Sequence, residues 1–184
     1  MTGWEASPIL PPVEEEDRAS ECNASVPQSG AGAERENPMI AGEIRQKLVD
    51  IVGPDHVLES EIDRFGYSYD SSFVPLVPGS RPDAVVRPVT ASEVSRVMAV
   101  AYEHAIPVTP RGAASGRTGG SIPLSGGISL CLDRMTRIIE LDERNMMVTA
   151  EAGVRTIDLY NHCAARGLFY PPDPASWKFS TIGG

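Results

Sequence analysis

Residues 84–109 switch twice between two incompatible periods, and that switch restricts the fold more than any other feature of the chain. Ala84-Val85-Val86 is a continuous apolar run closed by Arg87-Pro88, which reads as a short buried strand. Thr90-Ala91-Ser92-Glu93 follows as a capping box, a threonine at the N-cap with a glutamate three residues on. Val94, Val97, Met98 and Ala101 then recur at helical spacing to about Glu103, and Ile106-Pro107-Val108-Thr109 returns to a strand-like run. Strand, helix and strand in so short a span predict a compact βαβ unit with parallel strands.

The second strand runs directly into Arg111, Gly112, Ala113, Ala114, Ser115, Gly116, Arg117, Thr118, Gly119, Gly120 and Ser121. Small residues leave the backbone amides uncovered, and glycine permits both positive φ and close backbone approach, so the loop is shaped to cradle an anion such as phosphate. Two familiar phosphate loops fail on spacing. A kinase-type loop needs Lys before Ser or Thr after its second glycine, and a Rossmann fingerprint needs glycines at relative positions one, three and six. Here Gly112 and Gly116 lie four apart, Gly116 and Gly119 three apart, and Arg117 stands where the lysine would be. Two readings of the loop stay open, an ordinary glycine-rich surface loop and a phosphate site held mostly by amides and hydroxyls.

Around this centre the chain divides into three parts. Residues 1–38 carry five prolines and eight acidic side chains against Arg18 and Arg35, with no helical or strand period, and are expected to be a disordered acidic tail. Residues 39–77 form a helical lead-in, where Ile40, Ile44, Leu48 and Ile51 mark an amphipathic helix ending at Val52 before Gly53-Pro54. Val57-Leu58 reads as a short strand and Ser60-Glu61-Ile62-Asp63 as the start of a brief helix. The stretch Phe65-Gly66-Tyr67-Ser68-Tyr69-Asp70 packs either on a site or on the core, and the core is the simpler assignment.

In residues 78–184, after the loop, Ile128-Ser129-Leu130-Cys131-Leu132 reads as a buried strand. Arg137-Ile138-Ile139-Glu140-Leu141 and Met146-Met147-Val148-Thr149-Ala150-Glu151 read as a hairpin turning at residues 142–145. Thr156 is expected to cap a helix with Ile157, Tyr160, Cys163 and Ala164 on its apolar face and Gly167 at its stop. His162 and Cys163 are adjacent on that helix and point apart, so they make no catalytic pair. Extended backbone through Pro171-Pro172-Asp173-Pro174 leads to a second small-residue stretch, Ser180-Thr181-Ile182-Gly183-Gly184. The pattern has not closed by that point, which sets the expectation of a truncated domain, incomplete at its C-terminus.

Composition narrows the partners. The 184 residues carry a net charge of -9, which argues against a general nucleic-acid or anionic-membrane surface while leaving room for a local phosphate site. No apolar run approaches the roughly 20 residues of a membrane span, and the N-terminus lacks the pattern of a secretory signal, so the expected location is cytoplasmic. Cys22, Cys131 and Cys163 are widely spaced and read as reduced thiols, and His56 and His104 lack metal-ligand spacing. No metal is expected.

The order of Arg81-Pro82-Asp83-Ala84-Val85-Val86-Arg87-Pro88, the helix after Thr90, Pro107-Val108-Thr109-Pro110-Arg111-Gly112, Thr118-Gly119-Gly120, Pro172-Asp173-Pro174 and Thr181-Ile182-Gly183-Gly184 resembles the FAD-linked oxidases of the vanillyl-alcohol-oxidase superfamily. Within it, the chain resembles the branch of the FAD-carrying glycolate oxidase polypeptides and D-lactate dehydrogenases, over roughly residues 40–184. The resemblance implies an α+β fold, an FAD-binding PCMH-type domain with a βαβ unit followed by a mixed sheet and flanking helices. It implies that Arg111, Gly112, Ala113, Ala114, Ser115, Gly116, Thr118, Gly119 and Gly120 wrap the FAD pyrophosphate. Pro172, Asp173, Ser176, Ser180, Thr181, Gly183 and Gly184 would line the cofactor nearer its flavin and ribityl end. Relatives with covalent flavin carry a histidine about where Ser115 stands, so non-covalent FAD is expected.

What the resemblance implies for activity is oxidation of a small 2-hydroxy acid, of the D-lactate or glycolate type, with an electron acceptor and a partner subunit. Residues that hold the substrate in that family lie beyond this sequence, so no catalytic residue is assigned, and the 184-residue chain alone is expected to bind FAD weakly. Two alternatives belong beside this one. The chain could be a truncated, non-catalytic binding module or the product of a decayed gene, or part of a flavin reductase that shares the FAD domain and differs in substrate.

Overall fold

The computed structural model describes residues 40, 42–72 and 80–183; the expected tail at 1–38, Cys22 and Gly184 lie outside the described residues. In chain order the elements are α1 (Gly42–Val52), a 3-10 turn (Pro54–His56), β1 (Val57–Leu58), α2 (Glu61–Gly66), β2 (Ala84–Val86) and α3 (Ala91–Glu103). They continue with β3 (Val108–Arg111), β4 (Ile128–Cys131), β5 (Ile138–Asp142), β6 (Met147–Ala150) and α4 (Thr156–Ala164).

One sheet has the order β1-β2-β4-β3, with β1 antiparallel to β2 and the other pairings parallel. The two strands of the predicted βαβ unit are therefore parallel but not adjacent, because β4 lies between them. The reason is in the residues. Ile128-Ser129-Leu130-Cys131 is buried at every position and needs a neighbour on each side, whereas β3 carries Pro110, whose missing amide suits an edge.

Helix α3 begins as the capping signal requires, with the Thr90 hydroxyl accepting from the Glu93 amide at 3.1 Å. The Glu93 carboxylate reaches one residue further back than a standard box, accepting from the Val89 amide at 2.7 Å. The buried stripe is Val97, Val100 and Ala101, and Met98, expected inside, is 44% exposed. Met98 lies one residue, about 100°, around the helix from Val97 and so falls off the stripe. α1 packs beside α3, and Leu48, Val52, Val97 and Ala101 meet Ala84, Val86, Ile128 and Leu130 of the sheet in one core. Because β1 extends this sheet and α1 contributes to its core, the lead-in and the strands share that core.

A second, smaller core lies between the β5–β6 hairpin and α4, where Val154, Leu159 and Cys163 pack against Ile138, Leu141, Val148 and Ala150. Two expectations for α4 change. Thr156 is the first helical residue rather than the cap, a place taken by Arg155, because the Thr156 side chain is engaged by Ser180. The buried positions are Thr156, Leu159 and Cys163, while Ala164 is exposed. Gly167, at φ 72°, closes the turn after the helix as predicted.

The hairpin is locked at its open end by an ion pair. Glu151 is buried, and its carboxylate accepts from Arg137 Nη2 at 2.7 Å, Nε at 2.9 Å and the Arg137 amide at 2.8 Å. Those bonds from the Arg137 side chain and amide hold the Glu151 carboxyl below its ordinary value of 4.5. A carboxylate with a lowered pKa in the folded state stabilises fully above its unfolded pKa, and the effect is lost as pH falls through the folded value. The melting-temperature gap between wild type and E151Q is thus expected to be widest near about pH 6 and to shrink toward about pH 3. A gap independent of pH would remove the ion pair from the account.

Candidate functional site

β2, β4 and β3 run in one direction, so their carboxyl ends open on the same edge of the sheet, the place where parallel sheets bind ligands. The glycine loop leaves that edge from Arg111, the last residue of β3. It forms most of the wall of a cavity of about 260 Å³. Of the predicted residues, Arg111, Gly112, Ala113, Ala114, Ser115, Gly116, Thr118, Gly120, Thr181 and Gly183 line it. A second cavity of about 320 Å³ is lined by Pro172, Ser176, Ser180 and Thr181, again with Ser115 and Gly116. The two adjoin at Ser115, Gly116 and Thr181, which belong to both walls.

Gly119 and Asp173 line neither cavity. Gly119 takes a backbone role at φ 78°, its carbonyl accepting from the Ile122 amide at 3.1 Å. Gly184 is outside the described residues.

The second stretch reaches the first loop because it is sewn to the start of α4. Thr156 donates its amide to the Ser180 carbonyl at 2.9 Å, and the two hydroxyls lie 3.0 Å apart. Ile182 and Gly183 donate to the carbonyls of Val154 and Ala152 at 2.9 and 3.0 Å, and Arg155 bridges to Thr181. Gly183 is required there: a Cβ on it would stand 2.5 Å from the Ala152 Cβ.

Of the stretch at residues 65–70, for which the core was the simpler assignment, the structure buries Ser68 but brings Asp70 to the site. Phe65 and Tyr69 are 43% and 46% exposed, while Asp70 lines the first cavity. Arg111 explains this placement. Its guanidinium is buried and donates to the carbonyls of Tyr69 at 2.8 Å and of Tyr67 and Gly66 at 3.4 Å, lying 5.0 Å from the Tyr67 ring centroid. Burial lowers its pKa below the usual arginine range, although nearby Cys131, Tyr67 and Asp70 oppose the shift. Arg111 thus stands at the cavity with its charge committed to backbone carbonyls, and Arg117 remains exposed on the loop.

Burial also pushes the Tyr67 phenol up to about 12, helped by Cys131, so Tyr67 is neutral beneath Arg111. Behind it Arg87 and Asp133 form a two-pronged pair at 2.6 and 3.2 Å that ties the ends of β2 and β4 together. For Asp70, burial favours the neutral acid but is outweighed by hydrogen bonds from Ser72 and Gly119 and by Arg111, so its carboxyl sits below the ordinary aspartate value.

Sequence reading missed Asp70, Thr156, Tyr170 and Pro174, all of which line the cavities. Asp70-Ser71-Ser72 offered a signal, an aspartate whose side chain can take the amide two residues on, and Asp70 Oδ1 does so at 2.8 Å. Tyr170 signalled only bulk; it packs edge-on to Tyr160 at 6.1 Å between centroids.

The walls suit a long, acceptor-rich ligand. Ser121 and Thr181 line the first cavity, and Ser121 Oγ and Thr181 Oγ1 are buried without a hydrogen-bond partner in the protein. Small side chains along the loop let backbone come close, as an FAD pyrophosphate requires. Among the described residues no group of three or more histidine, cysteine or acidic side chains could hold a metal, and no helix is long and apolar enough to cross a membrane.

Comparison with known proteins agrees with the geometry. The chain is 40% identical over 146 residues to glycolate oxidase subunit GlcD of Bacillus subtilis (strain 168), covering 79% of this chain and 30% of that protein. It is 33% identical over 145 residues to D-lactate dehydrogenase of Anaerostipes hadrus, with the same two coverages. The chain thus spans about 30% of the length of these relatives. Among solved structures, alkyldihydroxyacetonephosphate synthase superposes with a TM-score of 0.71 at 24% identity, covering 84% of this chain and 34% of that one. A substrate-bound p-cresol methylhydroxylase gives 0.64 at 23% identity, covering 76% and 27%. The fold is the α+β fold of these solved structures, and the model of the family described as FAD binding domain matches residues 82–184. With a glycine loop at the carboxyl ends of three parallel strands and that family's model over more than half its length, the chain belongs to the FAD binding domain family.

Proposed function

We propose that the chain is the FAD-binding portion of a flavin-dependent oxidoreductase that oxidises a small 2-hydroxy acid of the D-lactate or glycolate type. The observation that carries the FAD assignment is the pair of adjoining cavities that share Ser115, Gly116 and Thr181 in their walls. The substrate class rests on the names of the two relatives quoted above.

In this reading residues 78–184 are the FAD-binding domain and 39–77 its lead-in. Gly112, Ala113, Ala114, Ser115, Gly116, Thr118 and Gly120, with Ser121, hold the pyrophosphate through amides and hydroxyls, with Gly119 shaping the loop. Pro172, Ser176, Ser180, Thr181 and Gly183 form the wall toward the other end of the cofactor, with Asp173 and Gly184 flanking them. When bound, FAD supplies the two-electron acceptor for converting the hydroxyl to a carbonyl. This chain's share is to bind and orient that group and to shield it from water; an electron acceptor and a partner subunit complete the proposal.

Protein expressed from its complete reading frame is expected to be yellow and to bleach on addition of D-lactate or glycolate without an acceptor. Colour that returns with an artificial acceptor completes the cycle, and colourless protein would sink the proposal. Because Ser115 offers no ring nitrogen for attachment, acid precipitation is expected to leave the flavin in the supernatant. A yellow pellet would show a covalent link instead.

A further inference from the structure

Three non-glycine residues among those described have positive φ: Ala105 at 51°, Ala114 at 53° and Met146 at 56°. Two of them have ordinary reasons. Ala105 follows the end of α3 and Met146 sits in the hairpin turn, positions where left-handed residues stop helices and reverse strands. Ala114 lies in neither kind of turn. It is in the middle of the glycine loop, lining the first cavity, and an L-residue with a Cβ holds that conformation only when its surroundings impose it.

The imposing contact comes from a distant segment. The Ala114 carbonyl accepts the Ser71 amide at 3.1 Å and the Ser71 hydroxyl at 3.2 Å. Ser71 is itself fixed on both sides. Arg111 grips the Tyr69 carbonyl at 2.8 Å, and the Asp70 carboxylate takes the Ser72 amide at 2.8 Å. Residues 69 and 71 are thereby bound to residues 111 and 114 of the loop.

We propose that Ser71 is a positioning residue for the cofactor cradle, holding Ala114 in its left-handed conformation by donating both its amide and its hydroxyl to the Ala114 carbonyl. Two donors fill the acceptor capacity of that carbonyl. An oxygen dipole that would repel a phosphate is thus occupied at the outer segment, and a left-handed residue flanked by residues of negative φ is the arrangement that gathers successive amides into an anion-binding concavity. The energy of distortion is met before any ligand arrives, so the loop is preorganised. This inference rests on the reading of the cavity as an FAD site for its affinity readout alone.

The test uses protein from the complete reading frame, stripped of flavin. Ser71 is exposed, so S71A is expected to fold. In S71A the amides of residues 114–116 are expected to exchange with solvent about fivefold faster than in wild type, and FAD to bind about fivefold more weakly, the size of one lost hydrogen bond. S71T, which keeps the hydroxyl, is expected to restore both. In an A114G background, the S71A effect on FAD affinity is expected to drop below about twofold, because glycine adopts the left-handed conformation without being held.

Unchanged loop exchange in S71A overturns the inference, as does an equal loss of affinity in the Ala114 and A114G backgrounds. If wild type binds no FAD, the cofactor reading fails, and the exchange comparison still decides whether Ser71 holds the loop.

Discussion

Gly127→Ala is expected to cost about 3 kcal/mol or more of folding stability, from a left-handed backbone and a backbone clash together. Gly127 has φ 74°, and a Cβ there would lie 2.2 Å from the Pro107 carbonyl oxygen and 3.0 Å from its carbon. Backbone cannot rotate aside as a side chain can. Pro107 leads into β3 and its carbonyl accepts the Ile128 amide at 2.8 Å, so separating them pulls on the first rung between β3 and β4. Gly127 also ties in β2, its carbonyl accepting the Asp83 and Ala84 amides at 2.7 and 3.3 Å and its amide donating to Asp83 Oδ2 at 2.8 Å. One small residue thus sits where three parallel strands begin. Gly116→Ala makes the comparison: a Cβ there meets nothing within 4 Å and no positive φ is involved, so its stability should stay within about 1 kcal/mol. Urea melts of the two variants decide the matter, and equal losses would show that the close approach at Gly127 does not govern the sheet.

Much of the fold was legible because its signals are local. The Ala84 strand, the Thr90 cap and the Gly167 stop each depend on residues within one or two turns of each other, and each lies where the pattern put it. Strand order was not legible. Whether β3 or β4 sits beside β2 depends on which strand can be buried on both sides, and that is settled by Ile128, Leu130 and Cys131 competing with Pro110 across the sheet. The N-cap of α4 differs from its pattern for a related reason. Thr156 has the right chemistry for an N-cap, but Ser180, 24 residues later, takes its hydroxyl first.

The site divides in the same way. The loop after β3 announces itself by glycine content and by the strand before it. The segment that shapes the loop does not, since Tyr67, Tyr69 and Ser71 act through backbone carbonyls, one amide and one hydroxyl on residues more than 40 positions away. Backbone acceptors have no side-chain signature, and the arginine that seeks them looks in sequence like a phosphate ligand.

Arg111 is where these two readings give opposite results. If its guanidinium held the cofactor's phosphates as a free charge, Arg111→Lys would keep most of the affinity, and Arg111→Met would lose affinity and salt dependence with little change in stability. The contacts point elsewhere. Three carbonyls converge on a buried, planar donor that also lies over the Tyr67 ring, an arrangement a lysine ammonium cannot span or stack. Removing it leaves part-buried acceptors without their donor, at up to about 1–3 kcal/mol for such a group. Arg111→Met is therefore expected to lose about 2–4 kcal/mol of stability even without FAD, and Arg111→Lys a large part of that. FAD affinity is expected to fall about tenfold or more in Arg111→Met, because residues 66–72 would no longer be held against the loop, while the salt dependence of binding stays as in wild type. A stable apo Arg111→Met protein whose FAD binding had lost its salt dependence would return Arg111 to the role of phosphate ligand.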